Sequence, residues 1–154
     1  MYGIHSYSLK RLPYVQNTAA RIVTQTKKYD HITPVLVKLH WLPVEYRIQF
    51  KLLLLTFKSL HNQSPVYLSN LLSVYVPTRS NMRSSDKFLL CVPRSKLVTC
   101  GDRSFSVAAP KLWNELPLDI KRSTNINSFK SKLKAFLFCK AYANHVWKVI
   151  MAKV

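Results

Sequence analysis

Residues 38–61 read KLHWLPVEYRIQFKLLLLTFKSLH, and this stretch determines how the chain folds. One apolar stripe contains Val44, Ile48, Leu52 and Leu55, and a second contains Tyr46, Phe50, Leu53, Phe57 and Leu60. Two stripes at helical spacing predict a helix that is buried on most of its circumference. A membrane span needs about 20 apolar residues with few charges, whereas Arg47, Lys51 and Lys58 interrupt this stretch. The sequence therefore predicts a core helix.

Shorter helices are predicted on both sides of the core helix, so the expected fold class is mainly α. Apolar spacing predicts a helix over 12–26, and Thr33 before Pro34 predicts an N-cap and a short helix over 35–40. Ser64 and Pro65 start another over 65–75 in the same way. Further on, we expect helical turns over 104–109, a restart at Pro110, a turn over 117–121 and a helix over 128–142 capped by Asn127. A short β-hairpin is possible near residues 87–100, where 87–92 and 96–100 could pair.

The charge of the chain is strongly one-sided. It has 24 Lys and Arg against 6 Asp and Glu, a net charge of +18 over 154 residues. Such an excess indicates a polyanionic partner, with nucleic acid the first candidate and an anionic membrane surface the second. A solvated basic surface with no partner is the simpler alternative.

The cations form two groups that we expect to contact phosphates. The predicted nucleic-acid-binding residues are Arg79, Arg83, Lys87, Arg94, Lys96 and Arg103, followed by Lys121, Arg122, Lys130, Lys132 and Lys134. Phe88, Phe105 and Trp113 could stack on bases, although core packing is the favoured interpretation of Trp113.

The sequence offers no catalytic, metal or cofactor site. Two glycines, Gly3 and Gly101, are too few for a phosphate-binding loop. The carboxylates are scattered, and the only close pair, Glu115 and Asp119, is separated by Pro117. The histidines do not cluster, and Cys91, Cys100 and Cys139 do not have zinc-site spacing. Three cysteines favour free thiols in a reducing compartment, with Cys91 and Cys100 as small buried hydrophobic residues.

Five blocks of the sequence, in order, resemble one known family. They are VQNTAAR, KLHWLPVEYRIQFK, VPRSK, GDRSFSVAAPKLWNELP and FKSKLKAFLF. Together they resemble the region beyond the polymerase core of non-long-terminal-repeat (LINE-type) retrotransposon reverse transcriptases, most closely the jockey-like and chicken-repeat-like groups. The resemblance covers residues 2–138, and MYGIHSYSLKRL is similar to the family's linker into this region.

The resemblance implies an origin and not an activity. Reverse transcriptases of this family carry a Tyr/Phe-x-Asp-Asp motif upstream of the matching region, and this chain has no adjacent aspartates. We therefore expect a truncated, catalytically inactive C-terminal fragment of an RNA-directed DNA polymerase. The family implies RNA or DNA and the polymerase core of the parent element as partners, with no membrane and no cofactor. It also implies a nuclear or cytoplasmic location.

The expected organisation is one domain in four segments. Residues 1–11 would be a linker remnant, 12–75 a helical half, 76–103 a basic loop or hairpin, and 104–154 a C-terminal helical part. Without an upstream polymerase, part of the apolar surface of 12–23 is expected to be uncovered. A domesticated protein-interaction module, polymerase activity in isolation and a translated remnant with no function stay open as alternatives.

Overall fold

The computed structural model describes residues 9, 11–76, 87–95, 97 and 101–151, and it confirms the mainly α class. The helices of these residues are α1 (Arg11–Thr24), α2 (Ile32–Lys38), α3 (Val44–Leu60), α4 (Val66–Ser69), α5 (Phe105–Asn114), α6 (Leu118–Lys121) and α7 (Ile126–Met151). Over the same residues there is no β-strand, and a single antiparallel bridge pairs Val74 with Leu90. No described helix is long and apolar enough to cross a bilayer.

Proline precedes three of the helices. Pro43, Pro65 and Pro117 occupy the N-cap positions of α3, α4 and α6, with φ between −54° and −57° and extended ψ. Each proline therefore lies one residue before the helix, where its missing N–H costs no helical hydrogen bond. The prediction that Pro43 and Pro65 occupy the first helical position is therefore wrong by one residue. Helix α4 is also shorter than the predicted helix over 65–75.

The ends of the other helices differ from the predictions in detail. His31 and not Thr33 is the N-cap of α2. At α7, the Asn125 side-chain oxygen accepts from the Asn127 backbone N–H at 3.1 Å, so Asn125 is the capping residue and Asn127 is not. The predicted restart at Pro110 is wrong, because α5 continues through this proline. Burial of Pro110 and its neighbours offsets the one hydrogen bond that proline cannot donate.

Three helices end in a left-handed residue that is not glycine. Gln25, His40 and Asn62 have φ of 53°, 52° and 54° and follow α1, α2 and α3. After α2, the Trp41 N–H donates to the Leu36 carbonyl at 2.9 Å and the His40 N–H to the Val37 carbonyl at 3.0 Å, which is the Schellman pattern. Equivalent bonds close α1 and α3. Each site therefore carries a side chain in a conformation that favours glycine.

Replacing Gln25 with glycine is expected to raise the free energy of unfolding by about 0.5–1 kcal/mol, because the Cβ atom is strained in a left-handed backbone. Gln25 is exposed, so little packing is lost. Gln25→Ala is the matched control, since alanine keeps the Cβ atom. Urea denaturation would measure both variants, and equal stability of the two would contradict this explanation.

The main core joins α3 to the C-terminal helices. Phe57 of α3 stacks on Phe129 of α7 with ring centroids 4.2 Å apart, and Trp113 of α5 lies 6.0 Å from Phe129. These three aromatic residues are buried, as are Leu53 and Leu133. The preference for Trp113 as a core residue is thus confirmed. The core brings together residues from the predicted N-terminal and C-terminal helical parts.

A smaller core holds α1 and α2 against α7. Ala20, Leu36 and Tyr142 are buried together, with Trp41 packed beside them. The Tyr142 hydroxyl donates to the Trp41 carbonyl at 2.6 Å, and burial raises the pKa of Tyr142 to about 12. Tyr142 also has non-helical φ and ψ, so α7 is kinked at this residue.

The second apolar stripe of α3 faces the main core more fully than the first stripe, from which Leu52 packs against that core. The second stripe does so through buried Leu53 and Phe57. The first stripe, with Val44, Ile48 and Leu55, lines an open groove between α1 and α3. Leu55 is 39% exposed, whereas Val44, Ile48 and Leu52 are half-buried. Helix α3 is therefore buried or half-buried on most of its circumference, as predicted, and Leu55 is the exposed apolar position.

Candidate nucleic-acid interface

The basic segment after residue 86 is attached to the helical core along both of its edges. On one edge, the Tyr75 N–H donates to the Leu89 carbonyl at 2.9 Å and the Cys91 N–H to the Ser73 carbonyl at 2.8 Å. Residues 89–91 thus pair with 73–75. Of the expected partner strand 96–100, only residue 97 lies within the described residues.

The other edge of this segment is held by one asparagine side chain. The Asn114 side-chain oxygen accepts from the Leu90 N–H, and its amide nitrogen donates to the Leu90 carbonyl, both at 2.9 Å. A carboxamide has a donor and an acceptor side by side, so it can replace a neighbouring β-strand at one residue. Because Leu90 is buried, its backbone groups need these partners.

Phe88 is held in a strained conformation with its ring outside. The buried Trp113 indole N–H donates to the Phe88 carbonyl at 2.8 Å. Phe88 has φ of 46°, which is rare for an aromatic residue, and 55% of its surface is exposed. Backbone strain of this kind often occurs at functional sites, and the exposed ring offers a face on which a base could stack.

Lys121 lies beneath this segment and not at the surface. Its ammonium donates to the carbonyls of Asn114 at 3.2 Å and Lys87 at 3.5 Å. Desolvation is the main cause that lowers the pKa of Lys121, and repulsion from the charge of Lys87 is the smaller cause. Because Lys121 is buried, we assign it a structural role and exclude it from the interface, which corrects its inclusion among the predicted contacts.

The exposed ring borders an open pocket of about 640 Å³. The pocket is lined by Leu60, His61, Val74, Phe88, Leu89, Leu90, Trp113, Lys121, Arg122, Ser123 and Thr124. Arg122, one of the lining residues, is exposed. Lys87, which precedes Phe88 in the sequence, is exposed but does not line the pocket. The buried Ser123 hydroxyl has no hydrogen-bond partner among the described residues. The pocket therefore combines cations, an aromatic ring and hydroxyl groups, the side chains that contact nucleic acids.

The other predicted residues lie elsewhere. Lys132 is exposed and donates to the Asp119 carbonyl at 3.3 Å, while Lys130 is half-buried. Lys134 lines a separate depression on α3 and α7. Arg94 and Arg103 are exposed, and Arg103 lines the groove between α1 and α3. Arg79, Arg83 and Lys96 are outside the described residues.

The loop before α5 is held together by Asp102, whose carboxylate also pairs with the Lys111 ammonium. The Ser95 hydroxyl and the Lys111 ammonium donate to the same Asp102 carboxylate oxygen, at 2.9 and 3.2 Å. These bonds, with that from Ser95 the stronger influence, lower the pKa of Asp102. Gly101 is required here, because a Cβ atom would lie 2.7 Å from the Leu97 carbonyl oxygen.

Two exposed cations of α3 were not predicted as site residues. Arg47 and Lys51 lie one helical turn apart and line the depression that also contains Lys134. Their four-residue spacing on the predicted core helix would have placed both on one face. The arrangement with Lys134 depends on how α3 packs on α7, which spacing alone does not indicate.

The cysteines are available to solvent within the described residues. Cys91 and Cys139 are free and exposed, so the prediction that Cys91 is buried is wrong. In the extended segment, side chains alternate between faces, and Leu90 takes the inward position. Cys100 is outside the described residues. The described side chains contain no group of three or more His, Cys, Asp or Glu that could hold a metal ion.

Comparison with protein-family models, with curated proteins and with solved structures finds no match to this chain.

Proposed function

We propose that this chain binds RNA or DNA without sequence specificity and has no catalytic activity. The observation that carries the proposal is the exposed Phe88 ring, which lines a pocket together with exposed Arg122 and directly follows exposed Lys87 in the sequence. Cations bind phosphates of any sequence, and an aromatic ring stacks on any base. The net charge of +18 favours the same class of partner.

Single-stranded nucleic acid suits this pocket better than a duplex does. Bases in a duplex are already stacked and paired, so a protruding ring such as Phe88 cannot reach a base face without distorting the helix. A flexible strand can place a base on Phe88 and its phosphates near Lys87 and Arg122. The proposed ligand is therefore a single strand, with weaker electrostatic binding to duplexes.

We further propose that the chain derives from the region that follows the polymerase core of LINE-type reverse transcriptases. The order of the five sequence blocks supports this origin. Sequencing of the genomic DNA and transcript upstream of the codon for Met1 would test it. An upstream polymerase palm with its aspartate pair would support the origin, and a separate promoter with no polymerase sequence would favour domestication.

The binding proposal predicts a steep dependence on salt. Fluorescence anisotropy with a labelled single strand of about 20 nucleotides should give a slope of log K against log salt of about −0.7 for each phosphate contacted. Duplex binding should follow a slope of about −0.9 per phosphate. Affinity that does not change with salt, or no binding at low salt, would contradict the proposal.

Substitutions at the pocket separate its role from that of net charge. Lys87→Glu with Arg122→Glu should weaken single-strand binding more than Lys28→Glu with Lys38→Glu, which changes net charge equally at exposed sites away from the pocket. Phe88→Ala should weaken the free energy of single-strand binding by about 1–3 kcal/mol and that of duplex binding by much less. Equal losses in the two charge-reversal variants would mean that the pocket is not the binding site.

A further inference from the structure

We propose that the groove between α1 and α3 binds an acidic amphipathic helix of a partner protein. The groove is separate from the Phe88 pocket, and the proposal does not depend on nucleic-acid binding. The groove has a volume of about 690 Å³, and none of its lining residues also lines the Phe88 pocket.

The walls of the groove are two apolar stripes, one from each helix. Leu12, Val15 and Ala19 face it from α1, and Ile48, Leu52 and Leu55 face it from α3. Both sets recur at three- and four-residue steps, which is the surface that a third helix packs against. The α3 stripe from Val44 to Leu55 spans about 17 Å at 1.5 Å per residue, which corresponds to three turns of a bound helix.

The shape of the groove is fixed by internal contacts. Gln16 lines the groove and is buried, and its side-chain amide donates to the Leu42 carbonyl at 2.8 Å. This bond ties the middle of α1 to the segment just before α3. The walls are still open to solvent, since Val15 is 63% exposed and Leu55 is 39% exposed. The groove is thus preformed, which lowers the entropic cost of binding.

Charge at the rim selects the partner. Arg47, Lys51 and Arg103 line the groove, and none of the lining residues that the structure describes is acidic. A helix with leucine-like residues on one face and carboxylates beside them would bury the first against the walls and pair the second with Arg47 and Lys51.

The other possible occupants fit less well. A second copy of this chain carries a net charge of +18, and its own α1 has Arg11 and Arg21 but no acidic residue, so like charges would meet at the rim. Nucleic acid would place phosphates against the aliphatic walls, where burial of charge without partners is costly.

The test uses the full chain and a fluorescein-labelled helical peptide of about 16 residues, with leucines at three- and four-residue steps and glutamates beside them. A peptide of the same composition in scrambled order controls for charge alone. We expect the amphipathic peptide to bind at least about tenfold more tightly than the scrambled one, which is about 1.4 kcal/mol. Equal binding of the two peptides, or no binding, would overturn the proposal.

Variants locate the binding site. The double variant Val15→Ser with Leu55→Ser should bind the amphipathic peptide at least about tenfold more weakly. We expect a similar loss of peptide affinity for Arg47→Glu with Lys51→Glu. Ile22→Ser is the matched control, because Ile22 is 72% exposed on the same helix but does not line the groove. Circular dichroism checks that each variant is folded. A similar loss with Ile22→Ser would overturn the proposal.

Two further outcomes would show that the groove has another occupant, and either one would overturn the proposal. The native chain could form dimers as its concentration rises. If the double variant Val15→Ser with Leu55→Ser stays monomeric at the same concentrations, the groove binds a second copy. A loss of single-strand binding in the same variant would assign it to nucleic acid. Phe88→Ala should leave peptide binding unchanged, so failure of this proposal and failure of nucleic-acid binding give different results.

Discussion

Replacing Phe129 with alanine is expected to lower the free energy of unfolding by about 3–5 kcal/mol. Phe129 has no exposed surface, and it stacks on Phe57 with 4.2 Å between centroids while Trp113 lies at 6.0 Å. Removing the ring loses burial and leaves a cavity among three helices that cannot all move inward. A loss of this size is a large part of the stability of a typical small domain.

Phe88→Ala is the matched control, because it makes the same chemical change at a ring that is 55% exposed. Urea denaturation followed by tryptophan fluorescence would report on Trp113 as well as on global unfolding. We expect Phe88→Ala to change stability by less than about 1 kcal/mol. If the two variants lose equal stability, the Phe57–Phe129 stack is not the centre of the core.

The core could be predicted from the sequence because its signal is local. The spacing of Leu53 and Phe57 in residues 38–61 identifies a helix, and the period of Phe129 and Leu133 identifies its partner in α7. Periodicity indicates which side chains share a face, but not what covers that face. For this reason the sequence predicts the stripe that contains Leu55 but does not indicate that the stripe lines an open groove beside α1.

The Phe88 pocket could be predicted only in part, because its geometry depends on contacts between distant residues. The sequence indicates that Lys87 and Arg122 are basic and that Phe88 could stack on a base. It does not indicate that Asn114, 24 residues away, binds Leu90. The burial of Lys121 likewise depends on backbone carbonyls that only the folded chain brings to its ammonium group.

Asn114→Ala is expected to destabilise the attachment of residues 87–91 by about 2–6 kcal/mol, since two backbone groups of Leu90 lose their partners and each costs about 1–3 kcal/mol when buried. The bonds to Tyr75 and Cys91 on the other edge remain, so we expect local detachment before global unfolding. Hydrogen exchange of the amides of residues 88–91 would measure the loss. Asn127→Ala is the control, because Asn127 is exposed at the start of α7.

Asn114 also links stability to binding, because the segment that it holds carries Lys87 and Phe88. If the strained Phe88 conformation is needed for stacking, Asn114→Ala should weaken single-strand binding by about as much as Phe88→Ala, roughly 1–3 kcal/mol. The single-strand affinity of Asn114→Asp should lie between those of the native chain and Asn114→Ala. A carboxylate still accepts from the Leu90 N–H but cannot donate to the Leu90 carbonyl at neutral pH. Faster exchange in Asn114→Ala with unchanged single-strand affinity would show that Phe88 contributes nothing to binding through its fixed position.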